Sequence, residues 1–230
     1  MVGSLRKDSF TGVLKLIFEQ IRSGGDRNFG YLLADRTAKQ AVLIDPSYSP
    51  EVFVQRALEQ NVTVTHIINT HGHPDHISGN AKAVELTGAP VAAHPDLPAP
   101  LDVRLADGQE LAVGALQLRF LYTPGHSEDH LVVYEAAHGI LITGDLLFVG
   151  KVGGTRSDQD ARTEWNSLQR VLEAVPDGCT VWPGHDYGVR PSSTIGIEKS
   201  TNPFLLCSDL ASFLQLKNDW PSFKQRYGLK

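Results

Sequence analysis

The chain begins as a series of short apolar runs broken by polar turns. Runs over 14–21, 29–34 and 41–44 are rich in Leu, Ile, Val, Phe and Tyr and are separated by Gly-rich or charged stretches, which predicts three strands in a meander. Pro50-Glu51 followed by Val52, Val54, Ala57 and Leu58 predicts a helix with proline at its start and those four residues as its apolar stripe. The run over 64–68 returns to strand character. Ser78 is positioned to cap a helix over 81–86, and Gly88 to end it. Further strands are predicted around Val91 and Leu111, from Leu116 onward, and over 131–134, 140–143 and 180–182. A helix over 161–174 carries Trp165, Leu168, Val171 and Leu172 on one face, and a last helix over 209–216 carries Leu210, Phe213 and Leu214. No internal repeat stands out. The pattern by itself supports a mixture of α and β.

A chain of 230 residues with 41% hydrophobic content can bury a sizeable core. The expected organisation is a loose N-terminal stretch over 1–12, one domain over 13–206, and a helical tail over 207–230 packed on that domain. Cys179 and Cys207 have neither metal-site spacing nor the numbers of a disulfide framework, so reduced thiols and a cytoplasmic location are expected. No apolar stretch approaches membrane-span length, and residues 1–12 lack the hydrophobic centre of a secretion signal. A net charge of −5 argues against an extended phosphate-binding surface. The expected partner is a small-molecule substrate, with no nucleic acid and no membrane; a homodimer is left open.

Chemistry concentrates in Thr70-His71-Gly72-His73-Pro74-Asp75-His76, directly after the strand predicted over 64–68. Imidazole nitrogens and a carboxylate are ligands that zinc and iron accept, and a preceding strand fixes where the loop begins. Three later segments repeat the theme of a β-rich run, Gly or Pro, then one ligand-type residue. They are Thr123-Pro124-Gly125-His126, Gly144-Asp145 and Pro183-Gly184-His185. All could converge on one edge of a sheet sandwich.

The order H-x-H-x-D-H, lone His, Asp, lone His resembles the metallo-β-lactamase superfamily over roughly 14–206. That resemblance implies an α/β (α+β) fold, a four-layer αββα sandwich of two mixed β-sheets flanked by helices. It implies that His71, His73 and His126 hold one metal ion, that Asp75, His76 and His185 hold a second, and that Asp145 bridges them. Asp45, in Ile44-Asp45-Pro46, resembles the carboxylate that orients ligand histidines from behind, though a turn-initiating Asp before Pro fits equally well. The implied activity is a metal-dependent hydrolase acting on a thioester or similar acyl substrate, with Asp75 and Asp145 as its catalytic carboxylates. Two divalent ions are expected, zinc favoured and iron an alternative. A bound dication brings the pKa of water from ~16 to ~7, so that hydroxide is available at neutral pH. Ser192 and Ser193 suit a cap or turn better than a nucleophile, and residues 150–154 lack the ending of a phosphate-binding loop, which leaves them as a loop near the substrate mouth.

Two branches compete. The segment Gly144-Asp145-Leu146-Leu147-Phe148-Val149-Gly150 resembles hydroxyacylglutathione hydrolase. His185-Asp186-Tyr187, then Ser193-Thr194, Glu198 and Asn202-Pro203, is similar to persulfide dioxygenase, in which one iron would be held by His71, His126 and Asp145. Both branches use glutathione-linked substrates, so a thiol conjugate is an expected substrate. The Gly-Cys-Gly-Arg motif of those families is Lys151-Val152-Gly153-Gly154 here, with Arg156 displaced, which weakens glutathione itself. Lys151, Arg156 and Tyr187 are the candidate substrate contacts, Tyr187 being equally a packed aromatic. His130 is expected behind the ligands or at the mouth, with a plain surface position as its alternative. A binding domain without turnover is disfavoured because both halves of the ligand set are present.

Overall fold

Both faces of the central strands are covered, which explains why they read as continuous apolar runs. The computed structural model describes residues 16–228. The first half comprises β1 (Leu16–Gly24), β2 (Asn28–Asp35), β3 (Gln40–Ile44), α1 (Pro50–Glu59), β4 (Thr63–Ile68), α2 (Pro74–Ile77), α3 (Asn80–Thr87), β5 (Val91–Ala93) and β6 (Val103–Arg104). Its six strands form one sheet in the order β1-β2-β3-β4-β5-β6, antiparallel from β1 to β3 and parallel from β3 to β6. The second half contains β7 (Glu110–Val113), β8 (Leu116–Tyr122), β9 (Leu131–Glu135), β10 (Ile140–Gly144), the small hairpin β11 (Leu147–Phe148) and β12 (Lys151–Val152), then α4 (Asp158–Ala174), β13 (Thr180–Pro183), β14 (Ser193–Thr194), α5 (Ile195–Thr201) and α6 (Leu210–Tyr227). The second sheet has the order β14-β13-β10-β9-β8-β7 and is also mixed, since β10 and β13 are parallel.

Side-chain alternation builds three apolar layers. Tyr31, Leu33, Val42, Ile44 and Ile68 face Leu118, Phe120, Leu131, Val133 and Ile142 between the sheets. Leu32, Leu43 and Ile67 point the other way, against Phe53, Ala57 and Ala83 of α1 and α3. On the far side, Leu121, Val132, Leu141 and Val181 meet Leu168, Val171, Phe213 and Leu214 of α4 and α6. The result is the expected αββα sandwich. Its strand directions place the site: β3 and β4 run parallel, and β8 and β10 are each antiparallel to β9, so β8, β10 and β13 also run alike. The C-terminal ends of these five strands lie at one edge, where Leu131 N–H donates to Thr70 O at 2.7 Å and Phe29 N–H donates to Gly184 O at 2.8 Å from one sheet to the other.

Several local expectations are corrected. The α1 stripe is Pro50, Phe53 and Ala57, while Val52 and Leu58 are exposed, because the sheet meets the helix one residue round from the expected face. Pro74, with its φ preset for helix, starts the four-residue turn α2 inside the His-rich segment; Ser78 closes that turn instead of capping α3, whose N-cap is Gly79. The last helix extends past 216 to Tyr227 and runs through Pro221, begun by a capping box between Asp209 and Ser212. Ser193 lies in β14 and Thr194 caps α5. The strand expected over 14–21 is described from Leu16 to Gly24, and the loose stretch expected over 1–12 lies outside the described residues. Cys179 is buried and Cys207 half-buried, neither in a disulfide. Among the described residues no helix is long and apolar enough to cross a membrane.

Tyr31 joins the sheets chemically as well as by packing: its buried hydroxyl donates to Pro183 O at 2.6 Å, just before the turn that carries His185. Replacing it by Phe leaves that carbonyl unsatisfied and is expected to lower stability by about 1–3 kcal/mol in denaturant titration. An unchanged midpoint would contradict the role given to this bond.

Candidate metal centre

Four strand ends deliver the ligand-type residues. Asn69-Thr70-His71 follows β4 and leads into α2, which carries Asp75 and His76; His126 sits past β8, Asp145 past β10 and His185 past β13. The donor atoms fall into three groups whose members lie within 4.8 Å of one another: His71, His73 and His126; His71, His76 and Asp145; Asp75, His76 and His185. His73 Nδ1 is 2.9 Å from His71 Nε2 and 3.0 Å from His126 Nε2. On the other side, His185 Nε2 is 3.3 Å from His76 Nε2 and 3.3 Å from Asp75 Oδ2. Asp145 lies between the groups, its Oδ2 3.5 Å from His126 Nε2 and 3.3 Å from His185 Nε2. Donors about 2.0–2.2 Å from a tetrahedral zinc ion stand roughly 3.3 Å apart, so the spacings suit such an ion.

The outward nitrogens are committed elsewhere, which leaves the inward ones for a ligand. His76 Nδ1 donates to Asp45 Oδ2 at 2.9 Å, His126 Nδ1 to Gly154 O at 2.7 Å and His185 Nδ1 to Asp26 O at 2.9 Å. His71 Nδ1 donates to Thr70 Oγ1 at 3.1 Å, and that hydroxyl donates onward to Asp45 Oδ2 at 2.6 Å. Asp145 Oδ1 is buried without a hydrogen-bond partner among the described residues. Paired imidazole nitrogens facing one another, plus an orphaned carboxylate oxygen, are what a divalent cation would reconcile.

Electrostatics follow from burial among opposite charges. Burial and the neighbouring imidazoles hold the His71 pKa well below its usual value. Burial opposes ionisation of Asp145, yet His76, His185 and His126 around it bring its pKa below the ordinary carboxylate range. His185 goes the other way: burial disfavours its charge, but hydrogen bonding to Asp145 and Asp75 raises its pKa to about 10.

His130 is buried, not at the surface or the mouth. Asp145 N–H donates to its Nε2 at 3.1 Å, so the proton is on Nδ1, 2.8 Å from Thr123 Oγ1. Burial lowers its pKa to about 3, which keeps that acceptor nitrogen unprotonated. Gly144, at φ 49°, lies where a Cβ would press on both His130 Nε2 and Thr70 Oγ1. Asp45 is also left-handed at φ 47° and is 2% exposed. It therefore sits behind the histidines rather than merely starting a turn. Such strain in a non-glycine residue persists only where surrounding bonds hold it.

Lys151, Arg156 and Tyr187 line one cleft of about 490 Å³ with His126 and Asp145. The Tyr187 ring stacks on His185 with 4.6 Å between centroids, its hydroxyl donates to Asp26 Oδ2 at 2.6 Å, and Lys151 Nζ lies 3.7 Å from its ring centre. Burial and the nearby cations Lys224 and Arg27 lower the Lys151 pKa to about 8.

Other contributors carry little signal in the sequence. Asn28, the first residue of β2, donates through Nδ2 to Asp75 Oδ2 at 2.9 Å. Asp26 supports both His185 and Tyr187, and Lys224 reaches the cleft from α6.

Comparison with known proteins agrees with this geometry. The model of the Metallo-beta-lactamase superfamily matches residues 24–185. The chain is 30% identical over 200 residues to human mitochondrial persulfide dioxygenase ETHE1, covering 85% of this chain and 77% of that protein. It is 33% identical over 178 residues to hydroxyacylglutathione hydrolase of Polaromonas sp. strain JS666, covering 75% and 67%. The crystal structure of ETHE1 from Myxococcus xanthus superposes with a TM-score of 0.82 at 33% identity, covering 89% of this chain and 91% of that one.

Asp45→Asn should lower divalent-metal affinity by about 10–100-fold in competition with a chromophoric chelator, because Thr70 N–H donates to one carboxylate oxygen while the Thr70 hydroxyl and His76 donate to the other, and an amide keeps only one acceptor. Wild-type affinity in that variant would remove Asp45 from its role.

Proposed function

Given that the chain belongs to the metallo-β-lactamase superfamily, we propose that it is a metal-dependent hydrolase of thioesters or related acyl compounds, working with two divalent ions, zinc favoured. The observation that carries this reading is the complete double donor set. Three imidazoles stand on one side, a carboxylate and two imidazoles on the other, with the Asp145 carboxylate within 3.5 Å of His126 and 3.3 Å of His185. When bound, such ions supply hydroxide at neutral pH and polarise an acyl oxygen. His71, His73 and His126 would hold the first ion, Asp75, His76 and His185 the second, with Asp145 shared. Asp75 is set for this by Asn28, whose amide fixes the carboxylate from behind.

The cleft walls indicate the kind of acyl compound. Lys151, Arg156 and Lys224 line it, and among the described residues none of the three makes an ion pair. In a chain of net charge −5 this local positive field favours an anionic substrate, such as the conjugate of a thiol carrying carboxylates. Tyr187 presents its ring to Lys151, its hydroxyl already committed to Asp26; it serves as a wall that holds His185 and the Lys151 ammonium in place.

A second reading is favoured by the greater coverage of the persulfide dioxygenase relative. In it, a single iron held by His71, His126 and Asp145 serves oxidation of a persulfide. Elemental analysis of protein purified without added metal separates the two, near two zinc equivalents supporting hydrolysis and near one iron supporting oxygenation. His185→Ala should lower thioester turnover more than about 100-fold, whereas a persulfide dioxygenase would keep much of its oxygen consumption. Asp145→Ala should abolish either activity; normal turnover in that variant would remove the shared-ligand assignment. Lys151→Ala should raise KM for an anionic thioester about tenfold with kcat little changed, and equal effects on anionic and neutral thioesters would contradict the charge reading.

A further inference from the structure

α6 lies beyond the segment that the family model matches, yet one of its side chains reaches the backbone next to the candidate metal centre. Lys217, with its side chain 9% exposed, donates to Gly153 O at 2.5 Å and to Glu164 Oε2 on α4. Glu164 is fully buried, and its other oxygen, Oε1, has no hydrogen-bond partner among the described residues. Burial pushes its pKa up to about 7 in spite of the ammonium beside it. A buried ion pair contributes little net stability compared with apolar packing, and the surrounding seam of Ala161, Leu168, Phe213 and Leu214 is apolar. The pair therefore calls for a role other than holding two helices together.

The backbone around it supplies one. Gly153 O, which accepts from Lys217, is one peptide before Gly154 O, which accepts from His126 Nδ1 at 2.7 Å. Gly153 is packed so closely that a Cβ would overlap Asp145 O and stand 2.9 Å from His126 Nδ1 and 3.1 Å from Glu164 Oε1. On the opposite side, a Cβ on Gly125 would meet the backbone of Glu164 itself, and Ser167 Oγ donates to Pro124 O at 2.7 Å. His126 is thus bracketed by α4 beneath its turn and by the strand end that α6 holds through Lys217.

We propose that Lys217 is a positioning residue for the metal centre: by clamping the Gly153 carbonyl against Glu164, it sets the Gly154 carbonyl that orients the His126 imidazole. This rests on the reading that His71, His73 and His126 hold a metal ion, and it gives the C-terminal helix a part in metal affinity.

The test is a cobalt(II) titration of the chelator-treated full chain against a chromophoric competitor, with thermal unfolding measured alongside. Lys217→Met should weaken binding of one cobalt equivalent at least about tenfold. Glu164→Gln, whose amide oxygen still accepts from Lys217, should bind like the unaltered chain. The pair Glu164→Gln/Lys217→Met removes both buried charges and should regain thermal stability but not cobalt affinity. Recovery of full affinity in that double variant, or wild-type affinity in Lys217→Met, would overturn the proposal alone. Failure of the unaltered chain to take up cobalt would overturn the metal reading and this proposal with it.

Discussion

One buried carboxylate connects both halves of the donor set. Asp45 accepts from Thr70 N at 2.9 Å through Oδ1, and through Oδ2 from the Thr70 hydroxyl at 2.6 Å and from His76 Nδ1 at 2.9 Å. Thr70 in turn accepts from His71, so a single group orients an imidazole from each side of the site. The fold positions that group at a cost, since Asp45 occupies a left-handed backbone conformation at the C-terminal end of β3. Without it, the His71 and His76 rings would be free to turn their donor nitrogens away from a cation.

The same constraint accounts for the architecture around the edge. Neither sheet carries a complete donor set. The first supplies the His71 to His76 segment and Asp45, and the second supplies His126, Asp145 and His185. The two must therefore be held in register, and short backbone bonds run across the gap at Thr70 with Leu131 and at Phe29 with Gly184. Gly144 permits a close approach, fitting between His130 and Thr70 where a Cβ would press on both. His130 holds the Asp145 backbone from behind, at 3.1 Å from Nε2 to the Asp145 nitrogen.

Much of this was legible in the sequence because strand ends punctuated by Gly or Pro, each followed by a ligand-type residue, record both the fold and the site. Seven donors could be named, and the sandwich followed from the resemblance that they carry. The rest was set by contacts between positions far apart in the chain. The α1 stripe fell on Phe53 because packing against Leu32, Leu43 and Ile67 of the sheet, not helical spacing alone, selects the buried face. The helical turn at Pro74 was hidden inside a segment read for its ligands. The sequence left His130 either behind the ligands, at the mouth or on the surface, and only the return of β10 beside it shows that it is buried against the Asp145 backbone. Asp26 in a turn, Asn28 at the start of β2, and Glu164 and Lys217 on helices have local patterns that give no hint of their distant partners.

Side chains from both sheets are placed to gather around divalent metal through the nitrogens that face one another. Anomalous diffraction at the metal edge from zinc-loaded crystals tests this most directly. The expected result is a peak about 2.0–2.2 Å from His71 Nε2, His73 Nδ1 and His126 Nε2, and a second at similar distances from Asp75, His76 and His185, with Asp145 reaching both. Metal bound elsewhere, with this cluster empty and His126 or Asp145 turned outward, would contradict it.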